Sequence, residues 1–252
     1  MAQSYRRVVI ISGASRGLGA ALANQLLAPN DLLISLARKP NPSLDEAALA
    51  LGAAHHFIQS DLSNTAGIQQ AQTQLAKLLP NNAQAYWLIN NAGTVDPVAL
   101  CSKLSDPVAI SHSLNLNLSA VMCLCATFLQ QLASLDADKR ILNISSGAGR
   151  RPVAGWAVYG ASKAALDYYT QTLAAEDHNV RCAALAPGVI DTSMQAHIRQ
   201  QSRDDFPGLS RFIDLHQNQQ LVSAEDTAHQ IIKYLESREF GHHVIDDIRH
   251  YS

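Results

Sequence analysis

The sequence has little charge and no strong excess of either sign. Its 252 residues contain 19 Lys and Arg against 21 Asp and Glu, so the formal net charge is −2. Nucleic acids and anionic membranes attract strongly basic surfaces, and this charge balance argues against both as partners. We therefore expect a protein that binds neither nucleic acid nor membrane.

Cysteine is scarce, and no uninterrupted apolar run reaches the roughly 18–20 residues of a membrane span. The histidine pairs at 55–56 and 242–243 lack a matching acidic or Cys ligand set, so we expect no metal site.

The short polar stretch 1–7 leaves no room for a signal peptide, which predicts a cytoplasmic location. No CxxC pair occurs, and the apolar surroundings predict buried free thiols in a reducing compartment at Cys101, Cys123, Cys125 and Cys182.

Apolar runs of strand length alternate with amphipathic stretches of helix length along the whole chain. With 47% hydrophobic residues, the chain can build one large core, so we expect a single domain over 1–252. The alternation predicts an α/β fold: a doubly wound parallel sheet of about seven strands with helices on both faces. Strands are predicted at 7–12, 31–37, 55–59, 86–90, 140–145, 179–186 and 242–245. The polar segment 192–220 is predicted to be a mobile substrate lid.

A glycine-rich turn follows the first predicted strand directly. Leu18, Leu22 and Leu26 then recur every four residues, which predicts a helix. Glycines at such a turn let backbone N–H groups approach a pyrophosphate at the helix N-terminus. A glycine-rich turn without a ligand is the alternative. The predicted dinucleotide contacts are Gly13, Ser15, Arg16, Gly17, Leu18 and Gly19.

The end of the second strand lacks the acidic residue that an NAD site carries about twenty residues past the glycines. Arg38 and Lys39 stand there instead, and Arg16 in the glycine turn adds a third cation. The arginine fork binds phosphate oxygens in pairs, so it suits a ribose 2′-phosphate. The residues predict NADP(H) as cofactor, with a solvated basic turn as the alternative.

The helical stretch predicted over 107–135 is apolar nearly all round. Such a helix must be covered on two sides, and we expect the sheet on one side and another subunit on the other. The sequence therefore predicts a homodimer or homotetramer. Asn115 and Asn117 interrupt the apolar pattern and need hydrogen-bond partners if they are buried.

Tyr159 and Lys163 lie four residues apart in a predicted helix, so they share one face. A nearby ammonium favours the phenolate and lowers the pKa of a tyrosine, which predicts a tuned acid/base pair. The same spacing also arises by chance in many helices. Ser146 ends the fifth predicted strand 13 residues upstream, and the sequence Asn90–Gly93 follows the fourth. In a parallel sheet all these groups lie along one edge.

The ordered set of motifs resembles the classical short-chain dehydrogenase/reductase family. Over essentially the whole chain it comprises SGASRGLG, Asp61-Leu62, NNAG, Asn117, Ser146, Tyr159-xxx-Lys163 and PGVIDT. The resemblance implies a Rossmann fold and an NADP-dependent oxidoreductase acting on CH–OH and carbonyl groups. Within the family, WLINNAG (87–93), GWAVY (155–159) and the run 191–195 are similar to sepiapterin reductases and bacterial benzil (diketone) reductases.

The resemblance also implies roles for the site residues. Tyr159 would donate the proton, Lys163 would lower its pKa and bind the nicotinamide ribose, and Ser146 would hold the substrate carbonyl. Asn117 would hold a water that links Lys163 to solvent. The further cofactor residues that it implies are Asp61, Leu62, Asn91, Ala92, Gly93, Pro187, Gly188, Val189, Ile190 and Thr192. Ser12 stands where the family usually has Thr, and because a hydroxyl is kept we expect little effect.

The expected substrate is a small-molecule ketone or dicarbonyl. Trp156 and Met194 are predicted to form its walls, with ordinary packing as the alternative for Trp156. Sepiapterin reductases anchor the pterin with a C-terminal Asp, whereas Asp246 and Asp247 stand one and two places off that position, so a substrate contact by either is left open. The alternative functions are an NAD-dependent secondary-alcohol dehydrogenase, a 3-oxoacyl reductase and a non-catalytic dinucleotide-sensing protein.

Overall fold

Seven parallel strands form one sheet in the computed structural model, which describes residues 4–176 and 178–251. The order across the sheet is β3-β2-β1-β4-β5-β6-β7, and every neighbouring pair is parallel. The strands are β1 (Tyr5–Ser12), β2 (Asp31–Ala37), β3 (Ala54–Gln59), β4 (Ala83–Asn90), β5 (Asp138–Ile144), β6 (Arg181–Ala186) and β7 (Ile245–Asp247). The predicted doubly wound fold is confirmed.

Helices cover both faces because successive side chains of each strand point to opposite sides of the sheet. Val9 and Ile11 of β1 pack in one buried cluster, and Val8 and Ile10 pack in the other. The helices are α1 (Gly17–Leu26), α2 (Pro42–Leu51), α3 (Thr65–Leu78), α4 (Pro107–Leu114), α5 (Ala120–Leu132), α6 (Ala157–Ala175), α7 (Ser193–Arg199), α8 (Leu209–Gln217) and α9 (Ala224–Glu236).

The strand order reverses between β1 and β4. The chain runs outward from β1 to β3 and returns to β4 on the other side of β1, with Ser12 opposite Asn90 at the strand ends. In open α/β sheets, ligands bind in the crevice outside the carboxyl ends of the strands at this point. The fold therefore places the candidate site beside the ends of β1 and β4.

The helical stretch predicted over 107–135 ends at Leu132 and contains a π-helical turn, Asn115–Ser119, between α4 and α5. Asn117 in this turn is fully buried. Its side chain donates to the Thr94 carbonyl and accepts from the Thr94 N–H, each over 2.9 Å. The buried amide is thus satisfied, and it ties the π turn to the loop after β4. Such turns are frequent at functional sites.

By length and composition, the helical stretch Pro107–Leu132 could cross a membrane, a test that core helices of globular domains also pass. Val121, Leu124 and Phe128 are buried in the core cluster beside α3. Val108 and Met122, by contrast, are 59% and 42% exposed. The predicted subunit contact depends on these exposed side chains.

The predicted last strand is present, but it lies at Ile245–Asp247, so the predicted bounds 242–245 were wrong. Ile245 pairs with Ala184 of β6, and two acidic residues continue the strand. Hydrophobicity does not indicate them, because hydrogen bonds satisfy the buried Asp246 carboxylate, including one of 3.0 Å from Tyr234.

The prediction for cysteine was right for Cys125 and Cys182, which are buried, and wrong for Cys101, which is exposed. Cys101 begins a short 3₁₀ turn in the loop after β4 and does not lie in an apolar helix. Cys123 is half-buried. Within residues 4–176 and 178–251, no group of three or more His, Cys, Asp or Glu side chains could hold a metal ion.

Candidate active site

The end of β4 is bound to the glycine turn after β1 through Ser12. Its hydroxyl accepts hydrogen bonds of 3.1 Å from the backbone N–H groups of Asn91 and Ala92. The Asn91 amide in turn donates to the carbonyls of Ser12 and Gly13, over 3.2 and 3.3 Å. These bonds need only a hydroxyl at position 12, which serine supplies as well as threonine.

The glycine turn has no room for side chains. A Cβ on Gly19 would lie 2.2 Å from the Gly13 carbonyl oxygen, and Gly13 itself has a φ of +74°, which favours glycine. α1 begins at Gly17 without a side-chain cap and without an acidic residue in its first turn. Its first N–H groups are therefore available to an anion, which fits the pyrophosphate of a dinucleotide.

Three exposed cations surround this turn. None of the side chains of Arg16, Arg38 and Lys39 forms an ion pair with another described residue. At the opposite end of the same strands, Arg6 and Arg7 both pair with Asp31. Exposed guanidinium groups without a partner fit a ribose phosphate.

Asp61 lies beside these cations at the end of β3. Partial burial acts to raise the pKa of Asp61, but hydrogen bonds from Ser63 and the charge of Arg38 lower it overall. The carboxyl is therefore ionised at neutral pH, at the position implied for the adenine.

The segment 187–192 lies on the other side of the glycine turn. A Cβ on Gly17 would lie 3.3 Å from the Thr192 methyl group. Val222 holds the segment in place, since it donates to the Val189 carbonyl and accepts from the Asp191 N–H. Among the predicted cofactor residues, three apolar ones are buried and can contribute only through their backbone or a small apolar surface: Leu18, Leu62 and Ile190.

Tyr159 and Lys163 are buried on α6, with 8% and 5% of their surfaces exposed. The Lys163 ammonium donates to the Ile144 carbonyl over 2.7 Å and lies 5.9 Å from the centre of the Tyr159 ring. A Cβ on Gly93 would lie 3.9 Å from this Nζ and 3.2 Å from Asn117 Oδ1. The structure thus brings together residues predicted from the ends of β4 and β5, the π turn and α6.

The expected lowering of the Tyr159 pKa by Lys163 is not found. Burial raises the pKa of Tyr159, and a hydrogen bond from Ser146 opposes this only in part. Burial also lowers the pKa of Lys163 to about 8, against the field of Asp167. The desolvation of a buried phenolate outweighs the hydrogen bond from Ser146, so Tyr159 carries its proton at neutral pH.

Ser146 follows β5 and lies beside Tyr159. Its hydroxyl accepts from the Ala148 N–H over 3.2 Å and contributes the hydrogen bond that acts on the phenol. Two hydroxyl donors at one place can stabilise negative charge that develops on a substrate oxygen. Asn117 uses its side-chain N–H groups on Thr94, Ser113 and Ser162, so its water link to Lys163 stays a prediction.

An aromatic wall adjoins Tyr159. The Trp156 ring stacks on Phe206 with centroids 4.8 Å apart and meets the Tyr159 ring edge-on at 5.4 Å. Phe212 lies 5.3 Å from the same indole, and Met194 packs against this cluster. The indole Nε1 is buried without a hydrogen-bond partner. Trp156 is therefore both packed and placed where a substrate wall was predicted.

The predicted lid segment 192–220 contains α7 and α8 and contributes Phe206 and Phe212 to this wall. The side chains of two residues, Lys103 and Asp96, join it to the loop after β4. Lys103 bonds Asp205 over 2.6 Å, and His197 bonds Asp96 over 2.8 Å. Sequence reasoning missed both, because their partners are about a hundred residues apart.

Neither C-terminal aspartate has a free carboxylate for a substrate. Asp246 is 2% exposed and accepts from the hydroxyls of Tyr234 and Tyr251. Asp247 pairs with Arg249. Internal hydrogen bonds therefore use both carboxylates, which answers the question that the sequence left open.

Sequence reasoning also missed three polar residues behind Lys163. The Asp167 carboxylate accepts from the Ser145 hydroxyl over 2.5 Å and from Arg150 Nε over 3.1 Å. The available signal was spacing, since Asp167 follows Lys163 by four residues and shares its helix face.

A second chain of polar groups joins β2, the edge strand β3 and α2. Ser35 Oγ is 2.7 Å from His55 Nε2, and His55 Nδ1 is 2.7 Å from Asp45 Oδ1. This is the connectivity of a nucleophilic triad. Ser35 lies in β2 with 2% of its surface exposed, so no substrate reaches it.

Comparison with known proteins agrees with this geometry. The family model described as short chain dehydrogenase matches residues 7–203. A benzil reductase ((S)-benzoin forming) of Bacillus cereus is 38% identical over 239 residues, which cover 93% of this chain and 96% of that protein. A sepiapterin reductase of Meriones unguiculatus is 36% identical over 251 residues, covering 94% and 95%. The crystal structure of the KRED1-Pglu enzyme superposes with a TM-score of 0.79 at 30% identity, covering 94% of this chain and 99% of the other.

Proposed function

Since this chain belongs to the short-chain dehydrogenase family of oxidoreductases, we propose that it reduces a ketone or dicarbonyl with NADPH, with Tyr159 as the proton donor. One observation carries the proposal. Tyr159, which burial keeps protonated, lies with Ser146 and Lys163 beside a glycine turn that fits a dinucleotide.

Each residue of the site has a separate role in the proposed reduction. A bound nicotinamide supplies the hydride that the carbonyl carbon accepts. Tyr159 gives its proton to the carbonyl oxygen, and Ser146 donates a hydrogen bond to the same oxygen as its charge grows. The Lys163 ammonium stabilises the phenolate that remains. The product is the alcohol, and the phenol recovers its proton from solvent.

The basic groups around the adenosine end support NADPH. The exposed side chains of Arg16 and Arg38 are available to a 2′-phosphate, and no acidic residue follows β2 to hold a 2′-hydroxyl. Thr192 and the backbone of Pro187–Ile190 are the groups proposed to hold the nicotinamide.

The aromatic wall supports an apolar, aromatic substrate. Trp156 meets the Tyr159 ring edge-on, and Phe206 and Phe212 pack on its indole. The carboxylates of Asp246 and Asp247 are engaged in internal hydrogen bonds and are not available to anchor a pterin. One similar protein is named for benzil, an aromatic dicarbonyl. We therefore place a benzil-like dicarbonyl ahead of sepiapterin as substrate.

The proposal is tested by following NADPH consumption with benzil, sepiapterin, an aliphatic diketone and a 3-oxoacyl thioester. Tyr159→Phe should lower turnover about 10²–10⁴-fold, because it removes the proton donor. NADPH binding, measured by fluorescence, should be retained. Tyr168→Phe is the matched control, since Tyr168 lies on the same helix and is 74% exposed.

Each rival function has its own signature in this experiment. Faster turnover with NADH would contradict the cofactor assignment and favour an alcohol dehydrogenase. NADPH binding without turnover of any carbonyl would favour a dinucleotide-sensing protein. Unchanged turnover in Tyr159→Phe would remove Tyr159 from the mechanism.

A further inference from the structure

We infer that Asp167 is a positioning residue, whose carboxylate holds the strand end that carries Ser146 and sets the electric field at Lys163. The inference rests on the proposed function, because it assigns Asp167 a role through two residues of that site. The carboxylate itself is not placed against substrate or cofactor.

The first support is the position of Asp167 in the fold. α6 presents Tyr159, Lys163 and Asp167 at intervals of four residues, so they lie along one face of the helix. Asp167 is 6% exposed, and its Oδ1 accepts from the Ser145 hydroxyl over 2.5 Å. Because Ser145 directly precedes Ser146, this bond fixes the backbone that presents the Ser146 hydroxyl.

Arg150 holds the second oxygen of the carboxylate. Its Nε donates to Asp167 Oδ2 over 3.1 Å, and its Nη2 donates to the carbonyls of Ala184 and Asp246 over 3.3 and 2.8 Å. These hydrogen bonds hold the Arg150 side chain against β6 and β7. Its charge offsets part of the Asp167 charge, so the two residues act on Lys163 in opposite directions.

Few other charges face Lys163. Tyr159 and Asp167 lie beside it on α6, and the neutral Ile144 carbonyl of β5 accepts its hydrogen bond. The turn after β4 and the π turn contribute Gly93 and Asn117, which are uncharged. Burial lowers the pKa of Lys163 to about 8, and Asp167 opposes that shift. Asp167 therefore helps Lys163 to keep its proton in the range where the enzyme is proposed to work.

Two variants test the inference because they should act in opposite directions. Asp167→Asn keeps the shape and removes the charge, so Lys163 should lose its proton about one pH unit lower. Arg150→Gln should shift the same titration to higher pH. The alkaline limb of the kcat–pH profile for carbonyl reduction should move accordingly. Asp138→Asn is the control, since Asp138 is paired with Arg140 and Arg181 away from the site.

A readout without turnover separates this inference from the proposed function. The chain has six lysines, so ¹³C-lysine NMR of the free protein can follow Lys163, identified by the signal missing in Lys163→Met. Opposite shifts of this signal in the two variants support the inference even if no carbonyl substrate is found. An unchanged Lys163 titration in both, or shifts in the same direction, would overturn it. Arg150→Gln keeps the test valid if Asp167→Asn fails to fold.

Discussion

The ammonium of Lys163 donates a hydrogen bond to the Ile144 carbonyl over 2.7 Å, at a position where only 5% of the lysine is exposed. A buried charge with a neutral partner is costly, and here burial lowers the pKa of Lys163 from 10.5 to about 8. The folded protein therefore binds this proton less tightly than the unfolded chain does.

Lys163→Met should abolish activity and yet stabilise the fold at neutral pH. At pH 7 both states of the wild type carry the proton, and the folded state bears the cost of the buried charge, about 3 kcal/mol. Between pH 8 and 10.5 the unfolded chain binds more protons, so this cost fades as the pH rises. Chemical denaturation of both proteins from pH 7 to 10 measures the difference, and a constant difference would contradict the assignment.

Arg38→Ala should weaken NADPH binding about 10–100-fold, because it removes charge-assisted hydrogen bonds to the 2′-phosphate. NADH binding should change little, since that cofactor lacks the phosphate. Fluorescence titration of both cofactors measures the effect. Arg238→Ala is a suitable control because Arg238 is exposed after α9 and forms no ion pair with another described residue. An equal loss for NADPH and NADH would contradict the assignment.

Trp156→Phe should leave stability almost unchanged, because phenylalanine keeps a ring on Phe206 and removes an indole N–H that has no partner. Trp156→Ala should cost about 3–5 kcal/mol, since it leaves a cavity in the aromatic wall. In Trp156→Ala, the KM for an aromatic dicarbonyl should rise by a larger factor than the KM for a small aliphatic diketone. Equal effects on both substrates would exclude a substrate contact.

Met122→Glu should break a homodimer or homotetramer, if the exposed face of α4 and α5 is the predicted subunit contact. A charge placed in an apolar interface must be desolvated without a partner. Light scattering after size exclusion gives the mass of each variant. Leu49→Glu is the control, because Leu49 is 85% exposed on α2. An unchanged oligomer in Met122→Glu would place the contact elsewhere.

The sequence predicted which groups lie at the sheet edge, because the order of strands and turns along the chain determines which residues follow each strand. Parallel strands end at the same edge, so the ends of β1 and β4 were expected to meet, and the Asn91 N–H donates to the Ser12 hydroxyl. Ser146 follows β5, which pairs with β4 in the same sheet. The balance between opposing effects on one pKa was harder to predict. The direction of the Tyr159 pKa shift depends on which effects on the phenol are larger. Residue spacing does not show that burial prevails.

Partners distant in the chain were also beyond prediction. Asp167 could be placed on the Lys163 face, but its bonds to Ser145 and Arg150 need the three-dimensional fold. The same holds for the Lys103–Asp205 contact across the lid segment. The last strand was predicted two to three residues too early, because hydrogen bonds satisfy the buried acidic residues of Ile245–Asp247.

The Ser35–His55–Asp45 chain has a consequence for how reactive groups are sought in this protein. Its atoms are spaced like those of a hydrolase, yet the serine lies inside a strand with neighbours on both sides. The hydrogen-bonded chain therefore has a structural role, since it joins β2, β3 and α2. A fluorophosphonate probe, which labels activated serines, should leave Ser35 unmodified in the native protein, because reactivity requires an approach path as well as a proton relay.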